Sequence, residues 1–171
     1  MASLLVRAER VLQRASQALV DVAGAMLAAM VVLINVEVVA RYGFNSSTLI
    51  ADEYSGYLFV WSTLLAFGYA LHTGQFLRVE AVVERFGRRG KAASELVAAI
   101  AGVAVSAVCV YASWQLLSAS LRLGTRSIQP SATPLWIVQI VMPFAFAWLV
   151  VLYLAAIVRI GARKPSAEPS P

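Results

Sequence analysis

Four long stretches of the chain are apolar, and short polar segments separate them. They cover about residues 18–40, 54–73, 96–121 and 134–158. Each has the roughly 20 mostly apolar residues that a helix needs to cross about 30 Å of hydrocarbon. None shows the alternation of apolar and polar residues that marks the wall of a β-barrel. Because a helix satisfies its own backbone hydrogen bonds in lipid, the pattern predicts four transmembrane helices.

Two segments outside these spans are amphipathic. Residues 1–16 carry an apolar stripe at helical spacing opposite three arginines, which predicts a helix that lies at the membrane interface or docks on a partner. The segment between spans two and three has a similar stripe of Val79, Val82, Val83 and Phe86, and we expect a short interfacial helix that ends at Gly87. The polar, Pro-rich tail of residues 163–171 is predicted to be disordered. Residues 1–162 then form a single four-helix membrane domain.

The composition agrees with a membrane location. The chain has 171 residues, of which 60% are hydrophobic and 13% are charged. Soluble domains have about 45–50% apolar and about 25% charged residues. A soluble domain of this size buries only about 70% of its unfolded surface, so it could not hide this apolar excess.

The basic residues indicate the orientation. Eleven of the 14 Lys and Arg residues lie in the N-terminal tail, the loop between spans two and three, or the C-terminal tail, and three lie in the other two loops. The positive-inside rule therefore predicts that both termini are cytoplasmic. Residues 1–16 are too charged for a signal peptide, and a full span follows them, so we expect no cleavable leader.

The chain offers little for catalysis or for a cofactor. Its single cysteine, Cys109, and single histidine, His72, exclude an internal disulfide, a multi-His metal site and a bis-His haem site within this chain. No nucleophile elbow, zinc-binding HExxH or phosphate-binding P-loop motif occurs. The basic residues do not form an aromatic-interleaved patch for nucleic acid. We therefore expect no enzyme activity, no cofactor and no metal.

Acids within or beside spans are candidates for function. Asp21, Glu37 and Glu95 each lie near a span end with a base in reach, and Glu37 precedes Arg41 by four residues, which is the favourable order for a helical ion pair. The simplest interpretation is a set of ion pairs at the membrane interface, and a proton or ion site stays open as an alternative. The middle of the spans has no Asp, Glu, Lys or Arg. Transporters usually bind their solutes near the midplane, so the chain does not resemble a transporter that works alone.

A small charged segment separates the first two spans. Asn45 to Ser47 are suited to a turn and an N-cap, and Asp52 and Glu53 lie where the dipole of the second helix favours acids. We expect Arg41 to pair with Asp52 or Glu53 and so to clamp the two helices together. The third span carries small residues at Ala98, Gly102 and Ser106, which favour close helix packing.

The order of these features resembles a known family. The run "RYGFNSS…ADEYSGYLFVWSTLLAFGYAL…G…LRVEAVVERF" is similar to the small permease subunit of tripartite ATP-independent periplasmic (TRAP) transporters, the DctQ-like family. The resemblance covers roughly residues 15–160. The matching positions are Arg41, Tyr42, Glu53, Phe59, Trp61, Gly68, Gly74, Arg78 and Val79, and later Pro134, Trp136 and Pro143. The chain departs from the family at Phe76-Leu77, where a His-Ile pair is usual, and at Glu80, where an Asp is usual.

The resemblance implies a function in uptake across the bacterial cytoplasmic (inner) membrane. In that family the small subunit is a scaffold for a large, elevator-type permease, which binds sodium and substrate. A periplasmic binding protein delivers an organic acid or similar solute. Membrane lipids are expected as further contacts. The hypothetical interface with the large subunit consists of Arg41, Tyr42, Asp52, Glu53, Tyr57, Trp61 and Gly68.

Two other functions compete with this interpretation. A self-contained, four-helix, proton-coupled multidrug exporter would use Glu37 as its membrane carboxylate. However, Glu37 lies near a span end beside Arg41, and the charge bias is strong. A membrane anchor for a redox enzyme is the second alternative, although one histidine does not suffice for a bis-His haem.

Overall fold

The computed structural model describes residues 2–73 and 88–162. In these residues the chain is helical, and its one extended pairing is an isolated β-bridge between Arg126 and Pro134. The predicted all-α class is therefore confirmed for the described ranges. The short helix expected before Gly87 and the tail of residues 163–171 lie outside them. The helices are α1 (Ala2–Gly43), α2 (Ala51–His72), α3 (Arg88–Leu123), α4 (Leu135–Gln139) and α5 (Val141–Ala162).

Three stretches of helix are long and apolar enough to cross a membrane. Among the described residues these are Glu9–Gly43, Ala93–Leu123 and Leu135–Ala162, and they contain three of the four predicted spans. Helix α2 has 22 residues, which is long enough, but it is not in this set. Its Gly, Ser, Thr, Tyr and His residues lower its mean hydropathy. The chain is thus an integral membrane protein with at least three apolar helices, and the second span stays a prediction.

The four long helices pack side by side in a row. Helix α1 packs against α2, α2 also contacts α5, and α5 packs against α3. A small buried cluster of Ala23, Leu65 and Val141 joins α1, α2 and α5. Helices α1 and α3 lie at the two ends of the row, so each leaves a long face uncovered by the rest of the described chain.

Helix α1 is continuous over 42 residues, which corresponds to about 63 Å. Its less exposed side chains recur at alternating spacings of three and four residues, the 3.5-residue repeat of helices that pack in the coiled-coil manner. They include Leu12, Ser16, Leu19, Ala23, Met26, Met30, Leu33 and Glu37.

The amphipathic N-terminal segment is therefore part of α1, and its location at the membrane interface stays a prediction. It continues the first span without a break, because no Gly or Pro interrupts residues 2–23. The carboxylate of Glu9 lies 3.7 Å from the guanidinium of Arg159 near the end of α5. This end of α1 is thus linked to the chain's own last helix by an ion pair between two half-exposed side chains.

Glycines allow two close helix contacts. A Cβ atom on Gly68 would lie 2.5 Å from the indole of Trp148, and one on Gly102 would lie 2.5 Å from the ring of Tyr153. Aromatic side chains of α5 therefore fill the spaces that these glycines leave on α2 and α3. In the predicted small-residue face of α3, Ser106 is buried, whereas Ala98 is exposed.

The predicted fourth span is broken at Ile140, between α4 and α5. Pro143 explains the break, because proline has no N–H to donate to the carbonyl of Gln139 one turn earlier. The indole Nε1 of Trp61 donates a hydrogen bond to the neighbouring carbonyl of Val138 at 3.0 Å. A side chain of α2 thus satisfies a backbone group at the break.

Candidate functional site

Two loops meet at one end of the helix row. One loop, residues 44–50, joins α1 to α2, and the other, residues 124–134, joins α3 to α4. The hydroxyl groups of Tyr54 and Thr133 are 3.1 Å apart and hydrogen-bonded. We call this region the loop end. It contains two buried acids, Glu37 and Glu53, and most of the residues predicted from the sequence.

Glu37 closes the first loop against the end of α1. Its carboxylate accepts hydrogen bonds from the guanidinium of Arg41 at 3.0 Å, from the hydroxyl of Ser47 at 2.6 Å and from the backbone N–H of Thr48 at 3.1 Å. The hydroxyl of Thr48 donates to it as well. We call Glu37, Arg41, Ser47 and Thr48 the Glu37 cluster. All its members come from 12 consecutive residues, so it is a local structure.

Two sequence predictions at this loop are wrong. Arg41 pairs with Glu37 and not with Asp52 or Glu53, because Glu37 lies one turn earlier on the same helix face. Ser47 does not cap α2. The N-cap residue is Ile50, which makes no side-chain cap hydrogen bond, and the hydroxyl of Ser47 is used by Glu37.

Glu53 joins α2 to the second loop. Its carboxylate accepts hydrogen bonds from the hydroxyl of Tyr57, one turn later on α2, and from that of Ser131. The hydroxyls of Ser131 and Thr133 are also hydrogen-bonded, at 2.9 Å. We call Glu53, Tyr57, Ser131 and Thr133 the Glu53 cluster. Burial raises the pKa of Glu53, but hydrogen bonds from Ser127, Ser131 and Tyr57 lower it more, so the net pKa lies below its usual value.

The backbone of the second loop presents Ser131 to Glu53. The N–H of Ser127 donates to the carbonyl of Thr133 at 2.9 Å, and the N–H of Leu135 donates to that of Thr125 at 3.1 Å. These bonds pair the two sides of the loop like a short hairpin. Ile128 lies at its fully exposed tip.

The seven predicted interface residues fall into three groups. Glu53 and Tyr57 are in contact within the Glu53 cluster. Trp61 and Gly68 lie deeper in α2 and contact α4 and α5. Arg41, Tyr42 and Asp52 are exposed at the loop end, with Tyr42 84% exposed.

Sequence reasoning missed the hydroxyl groups that hold both acids. These are Ser47, Thr48, Ser127, Ser131 and Thr133. One signal was available in the sequence. Both loops are rich in Ser and Thr, and they lie beside span ends that carry an acid. That signal predicts hydroxyl partners, but it does not say which loop meets which acid.

The loop end uses its acids to hold its own loops in place. Its two acids have satisfied hydrogen-bonding groups, and the described residues contain no group of three His, Cys, Asp or Glu that could hold a metal ion. An apolar groove of about 470 Å³ lies on the outer face of α1. The groove is lined by Val31, Val32, Asn35, Val36, Val39, Ala40 and Phe44.

Residues 30–162 match the family model described as "Tripartite ATP-independent periplasmic transporters, DctQ component". The chain belongs to the DctQ family. The match covers α2, α3, α4, α5 and the last third of α1, and thus includes the whole loop end. The resemblance to the TRAP small permease subunit is confirmed.

A relative from Haemophilus influenzae (strain ATCC 51907 / DSM 11121 / KW20 / Rd) is 39% identical over 67 residues, and its name describes a TRAP transporter small permease protein. The alignment covers 39% of this chain and 42% of that protein, less than half of either. No solved structure matches the chain significantly.

The chain is thus a member of a family of TRAP transporter components and a multi-pass protein of the inner membrane. The family is one of transporter components and not of enzymes. Glu37 and Glu53 are therefore best understood as parts of a membrane subunit whose loops are held in place.

Proposed function

We propose that this DctQ protein is the scaffold subunit of a sodium-coupled TRAP transporter. It holds a large, elevator-type permease in the membrane while that permease moves the solute. The observation that carries the proposal is that two buried acids of the chain hold its own loops in place. Among the described residues, Glu37 and Glu53 fasten loops at one end of the row, and neither lines the apolar groove on α1.

The division of work between subunits follows from this proposal. The large permease binds sodium and substrate, and a periplasmic binding protein delivers an organic acid or similar solute to it. Support for a large membrane partner comes from the ends of the helix row. The outer faces of α1 and α3 are apolar and uncovered by the described chain, with Val32 62% exposed and Val108 66% exposed.

The proposed topology has four spans and cytoplasmic termini. The apolar part of helix α2, from Tyr54 onward, is the second span, and its packing between α1 and α5 supports this assignment, because a moderately apolar helix is best placed among other helices. An even number of spans puts both termini on one side, as the distribution of Lys and Arg predicts. The loop end then faces the periplasm.

The geometry of Glu37 disfavours the multidrug exporter. A carboxylate that exchanges protons with a drug must be accessible and free to lose its partners. Glu37 is buried and accepts hydrogen bonds from Arg41, Ser47 and Thr48. Its contacts support a role in anchoring the loop of residues 44–50.

The predicted interface residues have different roles in this proposal. Arg41, Tyr42 and Asp52 are exposed and can contact the large permease or the binding protein directly. Glu53, Tyr57, Trp61 and Gly68 already contact other parts of this chain, so they act by positioning α2 and the loop end.

Reconstitution in liposomes tests the proposal. The full chain is incorporated alone, with the large permease, or with the large permease and the binding protein, under an inward sodium gradient. We expect accumulation of a radiolabelled organic acid with all three proteins and none with this chain alone. Solute accumulation by this chain alone would contradict the scaffold assignment, and so would full activity without it.

A matched variant separates the scaffold from the exporter. We expect Glu37→Gln to leave cells that express this chain with the same drug sensitivity as the wild type. If cells that express the wild-type chain become drug resistant and cells that express Glu37→Gln do not, this result would instead support the exporter.

A further inference from the structure

We propose that the outward face of α1 is the surface on which a transmembrane helix of the large permease docks, with Asn35 as its central hydrogen-bonding group. This inference rests on the proposed scaffold function. It moves the interface away from α2, whose predicted interface residues Glu53, Tyr57, Trp61 and Gly68 are used within the chain.

The docking face lies directly opposite the side of α1 that packs on the rest of the chain. Its midline consists of exposed residues spaced seven apart, which we call the α1 ridge: Arg7, Arg14, Asp21, Ala28, Asn35 and Tyr42. A seven-residue spacing corresponds to about two helical turns, so these positions share one face of the helix. No described part of the chain covers this face.

Two small residues in the middle of the docking face, Gly24 beside the α1 ridge and Ala28 on it, allow a close helix contact. A Cβ atom on Gly24 would meet nothing within 4 Å, and Ala28 follows it four residues later. This small-xxx-small pattern lets two membrane helices approach closely. The shallow apolar groove of Val31, Val32, Val36 and Val39 begins one turn further along and supplies an apolar surface for bulkier side chains.

Asn35 indicates that the occupant is protein and not lipid. It lies within an apolar span and lines the groove, and its side chain is exposed. One N–H of its amide donates to the carbonyl of Val31 at 2.7 Å. The amide has a second N–H and a carbonyl oxygen, and lipid tails offer neither a donor nor an acceptor. A helix with a Ser, Thr, Asn, Gln or Trp side chain at this depth would satisfy them.

The charges on the α1 ridge argue against a second copy of this chain. Two copies in one membrane share the same orientation, so pairing through this face would bring Arg7 and Arg14 of each copy opposite like charges. Like charges at a contact disfavour the pairing. A different protein with acids or neutral residues near these arginines avoids that repulsion.

Photo-crosslinking tests the location of the surface. A photoreactive amino acid replaces Val32 or Val36 on α1, and in matched controls Val105 or Val108 on α3, in the full chain co-expressed with the large permease. All four positions are more than half exposed. We expect adducts with the large permease from the two α1 positions. Adducts with the permease from α3 alone, adducts only with lipid, or crosslinked copies of this chain would each overturn the proposal.

Substitutions at the α1 ridge test the role of Asn35. We expect Asn35→Leu to reduce co-purification of the large permease about threefold, the size of an average hydrogen bond between membrane helices. Asn35→Gln keeps the amide and should retain more of the partner. Ala28→Leu blocks the close approach and should reduce co-purification further, whereas the control Val105→Leu on α3 should not. Unchanged co-purification in both Asn35→Leu and Ala28→Leu would overturn the assignment.

The same experiment distinguishes the two proposals. If the wild-type chain does not co-purify with the large permease, the scaffold function itself fails. If the wild type co-purifies and only α3 variants weaken the complex, the scaffold function stands and the docking face is wrong.

Discussion

The loop end holds two buried acids in different ways. Glu37 is satisfied by Arg41, Ser47 and Thr48, all within 11 residues of it, and one of these partners is a cation. Glu53 is satisfied by Tyr57 on its own helix and by Ser131, which is 78 residues away, and these partners are hydroxyl groups. The Glu37 cluster therefore shapes one loop, whereas the Glu53 cluster joins two distant parts of the chain.

This difference determines what each acid stabilises. Loss of the Glu37 cluster frees a loop whose ends are still joined by the packing of α1 on α2. Loss of the Glu53 cluster frees the loop of residues 124–134 from the carboxylate on α2 and leaves the half-buried Tyr57 hydroxyl without its acceptor. Unpaired polar groups in partly buried positions are destabilising, so the non-local cluster contributes more.

The largest expected effect comes from removing each acid in turn. We expect Glu53→Ala to lower the melting temperature of the purified chain by roughly 5–10 °C, and Glu37→Ala by about half as much. Thermal unfolding followed by tryptophan fluorescence in detergent measures both. In the double variant the two decreases should add, because the clusters share no hydrogen-bonding residue. An equal or larger effect of Glu37→Ala would refute the comparison.

Single hydroxyl groups refine the same comparison. We expect Ser131→Ala to lower the melting temperature by about 2–4 °C, because it removes one of the two hydroxyl groups of the second loop, Ser127 and Ser131, that donate to Glu53. Ser47→Ala should cost less, since Arg41 and Thr48 still donate to Glu37 and Ser47 is itself exposed. The two variants make the same chemical change, so each serves as the control for the other. A larger decrease in melting temperature for Ser47→Ala than for Ser131→Ala would show that the more important anchor lies in the first loop.

The pH dependence of stability isolates Glu53. The pKa of Glu53 is lower in the folded chain than in the unfolded chain, where it is near its ordinary value of 4.5. The contribution of Glu53 to the free energy of unfolding is therefore complete above the unfolded pKa. It is lost as the pH falls through the folded pKa. We expect the melting temperature of the wild type to fall more steeply than that of Glu53→Gln as the pH decreases from about 5 to about 3. If the melting temperatures of the two proteins fall in parallel with pH, Glu53 makes no pH-dependent contribution to stability in this range.

The smallest expected effect belongs to Arg41. Its side chain is half exposed, and Glu37 keeps three other hydrogen bonds without it. We expect Arg41→Ala to change the melting temperature by no more than about 1–2 °C, and added salt to reduce the difference further. If Arg41→Ala lowers the melting temperature as much as Glu37→Ala does, the ion pair and not the hydroxyl groups holds the first loop.

Local features of this chain could be predicted from its sequence. The helical class, three of the spans and the i,i+4 order of Glu37 and Arg41 depend on residues a few positions apart. Their geometry is fixed by the helix itself, so spacing is enough to find them.

Non-local features could not be predicted in this way. Spacing does not show that Ser131 reaches Glu53 or that Trp61 donates to Val138, because these contacts depend on how the helices are ordered in the row. The incorrect clamp between Arg41 and Glu53 had the same origin. It assumed that charges in adjacent loops pair, whereas the nearer acid on the same helix was the partner.

The unbroken length of α1 has a mechanical consequence. About 63 Å of rigid rod is twice the thickness of the hydrocarbon layer, so its N-terminal turns must project beyond the bilayer or the whole rod must lean steeply. A rotation of only 5° about its centre would displace either tip by about 3 Å. Because α1 is continuous, a tilt of the helix at one membrane surface displaces its other end by a similar distance at the opposite surface.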